Sequence, residues 1–232
     1  MMVMGEDPVM SQPNQNHIIN GLKRLEFIVA IDIFMNETSK YAHVILPAAS
    51  CAEKDGTFTN SERRVQRVRK AVEHIGTSRA DWQIICELAT RMGYQMKYNH
   101  PSEVWDELAA LASKFFGGIN YERIDRVGIQ WPCPDKNHPG TQYLHKDTFS
   151  RGRGLFYSPP CRPPAEKTDS EFPLILSTGR TLYQYNAGTM SRRSSGCSQI
   201  ESECFVEISP FDADMNGIKD GDMVRVISRR GE

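Results

Sequence analysis

The feature that most constrains this 232-residue chain is the stretch Glu53–Gln66, E-K-D-G-T-F-T-N-S-E-R-R-V-Q. It follows an apolar run, His43–Ser50 (H-V-I-L-P-A-A-S), that reads as a strand. The stretch gathers a lysine, two arginines, an asparagine and several acids, and is too polar to be core. Gly56 permits a positive-φ turn or a close backbone approach. Lys54, Arg63 and Arg64 are donors suited to phosphate oxygens or base edges. A solvated turn with an exposed charge run explains the same residues, and chemistry alone leaves both readings open.

The surrounding pattern is α/β. Met1–Met4 is a short apolar run before the turn signal G-E-D-P, a strand end opening into a loop. Asn14 opens a stretch with Ile18, Ile19, Leu22 and Leu25 at helical spacing. F-I-V-A-I-D-I-F, at 27–34, is almost continuously apolar, as in a strand covered on both faces. Asp32, near its end, is either an acceptor for a ribose or guanine edge or a helix-cap or turn residue. N-E-T-S-K-Y-A predicts a short helix, and H-V-I-L-P the next strand. Strand, helix, strand, helix, strand predicts a doubly wound parallel sheet.

Further on, V-Q-R-V-R-K-A-V reads as a half-exposed strand. Ser78 is predicted to cap a helix, with Asp81 three residues on at capping-box spacing. A second helix starts at Pro101–Ser102, with Val104, Leu108 and Leu111 on one stripe. Asn120–Val127 is expected to be a short helix. His138 and His145 lack a third ligand nearby and read as satisfied loop histidines. Residues 151–170 are rich in Pro, Gly and Arg and read as a linker between an α/β segment at 1–150 and a β-rich segment at 171–232. The last segment offers strand-like runs F-P-L-I-L-S, F-V-E-I-S and M-V-R-V-I-S, with P-F-D-A-D-M-N-G as a short helix.

Composition excludes some classes. Lys plus Arg is 28 against 29 Asp plus Glu, so there is no basic excess for nucleic acid. No apolar run approaches the roughly 18 residues of a membrane span. The N-terminus lacks the order of a signal peptide, and a soluble cytoplasmic protein is expected. None of the six cysteines forms C-x-x-C or stands at zinc or iron–sulfur spacing, so reduced, mostly structural thiols are expected.

Two stretches carry a family resemblance. L-P-A-A-S-C-A-E-K-D-G-T-F-T-N-S-E-R-R-V-Q resembles the segment of molybdopterin oxidoreductases that touches molybdopterin guanine dinucleotide. S-T-G-R-T-L-Y-Q-Y-N-A-G-T-M-S-R-R, at 177–193, resembles the cofactor-binding motif of that family's C-terminal domain. Nearly the whole chain can be laid on the family, and G-I-Q-W-P-C-P-D-K-N-H-P-G-T-Q-Y-L-H is similar to a segment typical of formate dehydrogenase catalytic subunits.

The resemblance implies an α/β, doubly wound (Rossmann-like) segment followed by a partial, double-psi-like β barrel. It implies cofactor contacts at Asp7 (where the family commonly has asparagine), Ile31, Asp32, Lys54 and Asp81. Asp81 stands where the family sets a carboxylate on the guanine N1 and N2 donors, a pairing that suits two adjacent N–H groups. Further contacts are implied at Thr178, Gly179, Arg180, Thr181, Leu182, Tyr183, Gln184, Tyr185, Asn186 and Ala187. Packing on a barrel exterior is the alternative for Tyr183 and Tyr185.

The implied cofactor is bis(molybdopterin guanine dinucleotide) with molybdenum or tungsten, and the implied reaction is formate/CO2 interconversion. The family's four-cysteine iron–sulfur motif and its cysteine or selenocysteine metal ligand cannot be placed here, so no catalytic residue is assigned. An N-terminal part or partner subunit carrying the cluster and metal ligand is therefore expected, with electron-transfer subunits, and the isolated chain is expected to be inactive. Alternatives are another family member of the nitrate or polysulfide reductase type, or a non-catalytic cofactor-binding or interaction subunit.

Overall fold

The computed structural model describes residues 1–231 and is a mixed α/β architecture. Its residues cluster into two compact units. One comprises Met1–Ala30, Met35–Ile45 and the chain from Arg162 on; the other comprises Ile31–Phe34 and Leu46–Cys161.

Strands β1 (Met2–Met4), β2 (Val29–Asp32) and β3 (Val44–Pro47) form a sheet in the order β1-β2-β3. The ladder is parallel. The Met1 amino group donates to Phe27 O at 2.7 Å while Met1 O accepts from Val29 N. The bonds then advance together, from Val44 N on Ile28 O to Ala48 N on Asp32 O.

Helices α1 (Pro8–Ser11) and α2 (Gln15–Leu22) link β1 to β2. Asn14 caps α2 by accepting from His17 N, and Leu22 packs with Val9 and Ile28 under Ile18, Ile19 and Leu25. The helical spacing read from sequence is thus the buried face. Between β2 and β3 the expected helix is only a 3-10 turn, Thr38–Tyr41. Asp7 and Asn36 accept from the backbone N–H groups of Thr38 and Ser39, and side-chain acceptors of this kind compete with a longer helix.

The second sheet is antiparallel: β4 (Gly56–Thr59), β5 (Arg64–Val68) and β6 (Ile129–Gln130), in that order. Gly56 pairs with Val68 and Thr59 with Val65, so the constraining stretch is a β-hairpin. The positive φ in its turn falls on Arg63 (64°), not on Gly56, which simply opens β4. Val65 is fully buried with Trp105, Ala109, Ile119, Ile124, Ile129 and Cys133.

Helices α3 (Asp81–Arg91), α4 (Pro101–Leu111) and α5 (Ser113–Phe116) belong to the same unit. On α4 the buried stripe is Trp105 and Ala109, whereas Leu108 and Leu111 are exposed, which corrects the sequence expectation. The large indole decides the face: Trp105 Nε1 donates to Ile119 O at 2.7 Å inside the core.

Residues 120–127 form turns instead of a helix. There the Arg123 guanidinium donates to Gly118 O and to His138 O, drawing the segment onto the 133–138 loop. Gly118 permits that approach, because a Cβ would stand 2.0 Å from Asp135 O.

In the C-terminal segment, helix α6 (Ser195–Ile200) and helix α7 (Pro210–Met215) are present, α7 with the Ser209 cap on Asp212 N. The runs expected as strands there form no ladder among the described residues; the one bridge is Ser228–Gly231. Leu174, Ile175, Leu176, Phe205 and Met223 are exposed. An alternating apolar run states a preference for a pleated, half-buried surface, but it becomes a strand only against a partner backbone.

Candidate cofactor-binding site

The path of the chain after β3 explains how Lys54 meets Asp81. Arg79 runs parallel beside Ala48, with Arg79 N on Pro47 O (3.1 Å) and Ala49 N on Arg79 O (2.8 Å). Ser50 then opens a 3-10 turn, Cys51–Glu53. Glu53, only 5% exposed, accepts from Ser50 N at 2.7 Å and from Ile75 N at 2.8 Å. The Ser50 backbone N–H, the Ser50 hydroxyl and the Ile75 N–H hold the Glu53 carboxyl below the ordinary carboxylate range.

Lys54 follows this turn in extended conformation, and Asp81 is the first residue of α3. The Lys54 ammonium donates to Asp81 Oδ2, and the two side chains remain 27% and 26% exposed.

This geometry corrects the reading of Ser78. Ala80 precedes the helix in extended conformation, no side chain caps it, and Ser78 Oγ is buried without a hydrogen-bond partner among the described residues. The parallel bridge at Arg79 keeps the chain extended up to Ala80, so Ser78 is not at the cap position. The carboxylate of Asp81 therefore faces Lys54 and belongs to no capping box.

The two hairpin arginines bind the protein itself. Arg63 donates to the carbonyls of Trp131, Thr141 (3.0 Å) and Gln142 (3.2 Å). Arg64 donates to Gly128 O and pairs with Glu62, whose carboxyl is lowered chiefly by that hydrogen bond.

Asp7 is 6% exposed, and its carboxylate accepts from Thr38 N (3.0 Å), Thr38 Oγ1 (2.6 Å) and Glu37 N (3.3 Å). Asp32 ends β2, with Oδ1 accepting from Phe34 N at 3.1 Å, while Ile31 has no exposed surface. Ile31, Asp32, Lys54 and Asp81 lie in one unit; Asp7 and Thr178–Ala187 lie in the other.

The loop Thr178–Ala187 is fixed from inside by Gln184. This buried side chain donates to Glu201 O at 2.8 Å and accepts from Ser191 Oγ at 2.8 Å, and Ser191 Oγ in turn accepts from Tyr185 N. Arg180 donates to Asn186 Oδ1, and Asn186 itself is left-handed (φ 53°). Gly188 has φ 76° and lies under the Arg192 side chain, 2.8 Å from where a Cβ would stand. Residues Arg180–Asn186 line an open concavity of about 480 Å³.

Sequence reasoning missed Glu53 and Ser191. The Ser50-x-x-Glu53 spacing is the signal that would have found Glu53; nothing local marks Ser191. All six cysteines are free thiols, and no group of His, Cys, Asp and Glu that could hold a metal occurs among the described residues.

Residues 1–91 match the family model described as Molybdopterin oxidoreductase, and residues 174–232 match the Molydopterin dinucleotide binding domain. The chain belongs to the molybdopterin oxidoreductases. The first match contains Asp7, Ile31, Asp32, Lys54 and Asp81 of this oxidoreductase segment, and the second contains its 178–187 loop.

Similar curated proteins include the F420-dependent formate dehydrogenase subunit alpha of Methanocaldococcus jannaschii, 47% identical over 236 residues, which takes in 100% of this chain and 35% of that protein. The F420-dependent formate dehydrogenase 2 subunit alpha of Methanococcus maripaludis is 48% identical over 233 residues, covering 99% of this chain and 34% of that protein. Formate dehydrogenase H of Escherichia coli is 39% identical over 236 residues, covering 99% and 33%. This molybdopterin oxidoreductase chain thus spans about a third of the length of the curated relatives it matches.

Proposed function

We propose that the chain is a cofactor-binding portion of a formate dehydrogenase catalytic subunit. The carrying observation is 47% identity along the whole chain to a formate dehydrogenase alpha subunit, with both family matches in order. The group it would hold is bis(molybdopterin guanine dinucleotide) with molybdenum or tungsten. When bound, that group supplies the two-electron redox chemistry of formate and CO2, and the protein supplies position and electrostatics.

The donor set supports this reading. Asp81 keeps about a quarter of its side chain exposed and is acceptor-only when ionised, which suits the paired N–H donors of a guanine edge. Arg180, in the wall of the concavity, is a cation suited to a diphosphate. Asp7 and Gln184 act one step back: each is buried and holds backbone that carries the loops in question. Asp32, Thr178–Tyr183 and Tyr185–Ala187 complete the proposed contacts, Ile31 through the course of β2.

In this reading residues 1–150 belong to a doubly wound α/β domain, 151–170 to a linker and 171–232 to a double-psi-like barrel. The iron–sulfur cluster and metal ligand reside on a further part or partner subunit of a cytoplasmic, multi-subunit enzyme, with electron-transfer subunits beside it. The observation behind that partner requirement is that the chain corresponds to a third of its relatives.

The test is reconstitution. Formate-dependent dye reduction is expected only when the chain is purified with polypeptides carrying the cluster and metal ligand, and Asp81→Asn should lower cofactor content of that complex by roughly 10–150-fold in affinity. Formate turnover by the 232-residue chain alone, or wild-type cofactor occupancy of Asp81→Asn where the wild type is only just saturated, overturns the proposal.

A further inference from the structure

We infer that Lys54 is a positioning residue for Asp81 that sets a preference for guanine, and is not a ligand of the cofactor's phosphates; this rests on the guanine reading of Asp81 given above. The Lys54 ammonium already has a partner, Asp81 Oδ2. Its backbone is placed for that contact by two independent devices. Glu53 pins the preceding turn to Ser50 and Ile75, and the Ala48–Arg79 bridge brings the start of α3 alongside.

An ionised carboxylate offers about four acceptor sites on two oxygens. Lys54 occupies one of them on Oδ2, leaving Oδ1 and the second site of Oδ2 for a pair of parallel N–H groups. An aspartate side chain otherwise turns about two soft torsions, and recognition of two adjacent donors needs the plane of its oxygens held. Because a quarter of Lys54 and of Asp81 is exposed, a base edge can reach the carboxylate while the ammonium stays in place. A phosphate would have to take the ammonium away and leave the carboxylate that reads the base untethered.

The two roles separate in experiment. A phosphate ligand acts on every nucleoside diphosphate alike, whereas a tether acts only through ligands that use Asp81. GDP and IDP share their phosphates and differ by the 2-amino group that Asp81 would read. Affinities of both are to be measured by calorimetry on the full chain, with thermal unfolding of each variant as a control.

Wild type is expected to favour GDP by about tenfold or more, the worth of one hydrogen bond to a charged group. Lys54→Met is expected to weaken GDP by about tenfold and IDP by much less, so the preference shrinks, and Lys54→Arg is expected to restore part of it. In Asp81→Ala the preference disappears, and adding Lys54→Met changes nothing further, because the two residues form one unit. Equal weakening of GDP and IDP in Lys54→Met, or no weakening, overturns the tether. A preference that survives Asp81→Ala, or is missing from wild type, overturns the guanine reading itself and the tether with it.

Discussion

Glu53 accepts the backbone N–H of Ile75 at 2.8 Å across 22 residues of sequence, while its other oxygen takes the N–H of Ser50. One buried carboxylate thus joins the turn before Lys54 to the segment leading into α3. Its pKa is lowered in the folded state, so the stabilisation is present above the unfolded value of about 4.3 and is lost as pH falls through the folded one. Glu53→Gln is therefore expected to be less stable than wild type at pH 6, with the gap closing as pH drops below about 4. Urea midpoints across that range check it; a gap that stays constant with pH contradicts the assignment.

Asp7 serves Thr38 through both its N–H and its hydroxyl, and Thr38 Oγ1 also accepts from Val9 N at 3.1 Å. Asp7→Ala leaves these buried groups unpaired and is expected to cost about 1–3 kcal/mol. Asp7→Asn keeps one acceptor oxygen and should cost clearly less. Chemical denaturation of the two variants gives the comparison.

Trp105 fills the core of the second unit and donates to Ile119 O. Trp105→Phe removes the indole N–H and leaves that carbonyl buried and unpaired, for a loss of about 1–3 kcal/mol. Trp105→Ala also opens a cavity and should cost about 3–5 kcal/mol. Leu111→Ala, on the exposed side of the same helix, should change stability by less than about 0.5 kcal/mol.

Arg63 forks over the carbonyls of Trp131, Thr141 and Gln142. Arg63→Ala is expected to raise amide hydrogen exchange in residues 140–143 by about tenfold, equivalent to about 1.4 kcal/mol, while the β4–β5 ladder keeps its protection. Arg63→Lys should not rescue the loop, because one ammonium lacks the planar fork.

Much of the first unit was legible because its signals are local. The helical spacing of Ile18, Ile19 and Leu22 needed only neighbours along the chain and appears as read, on a helix whose cap at Asn14 the structure supplied. The apolar run at 27–34 and the H-V-I-L-P run were legible as strands for the same reason, whereas their parallel pairing was set by the packing. Ser78 failed because its cap depended on where the helix starts, and a backbone bridge to Ala48 set that start. The Leu108–Leu111 stripe failed because α4 has two apolar faces, and the one carrying Trp105 faces the core.

The residues and their order were enough to mark two cofactor-type motifs, the charge balance, the hairpin's polar character and the family of the chain. Those features reside in residue type and short-range spacing, which any conformation preserves. Only the tertiary structure decided that Lys54 meets Asp81, that Asp7 serves Thr38 and that the arginines of the hairpin bind carbonyls of residues 128–142. Each of these pairings joins residues far apart in sequence, and a donor's choice among distant acceptors is set by which backbone packing brings within about 3 Å.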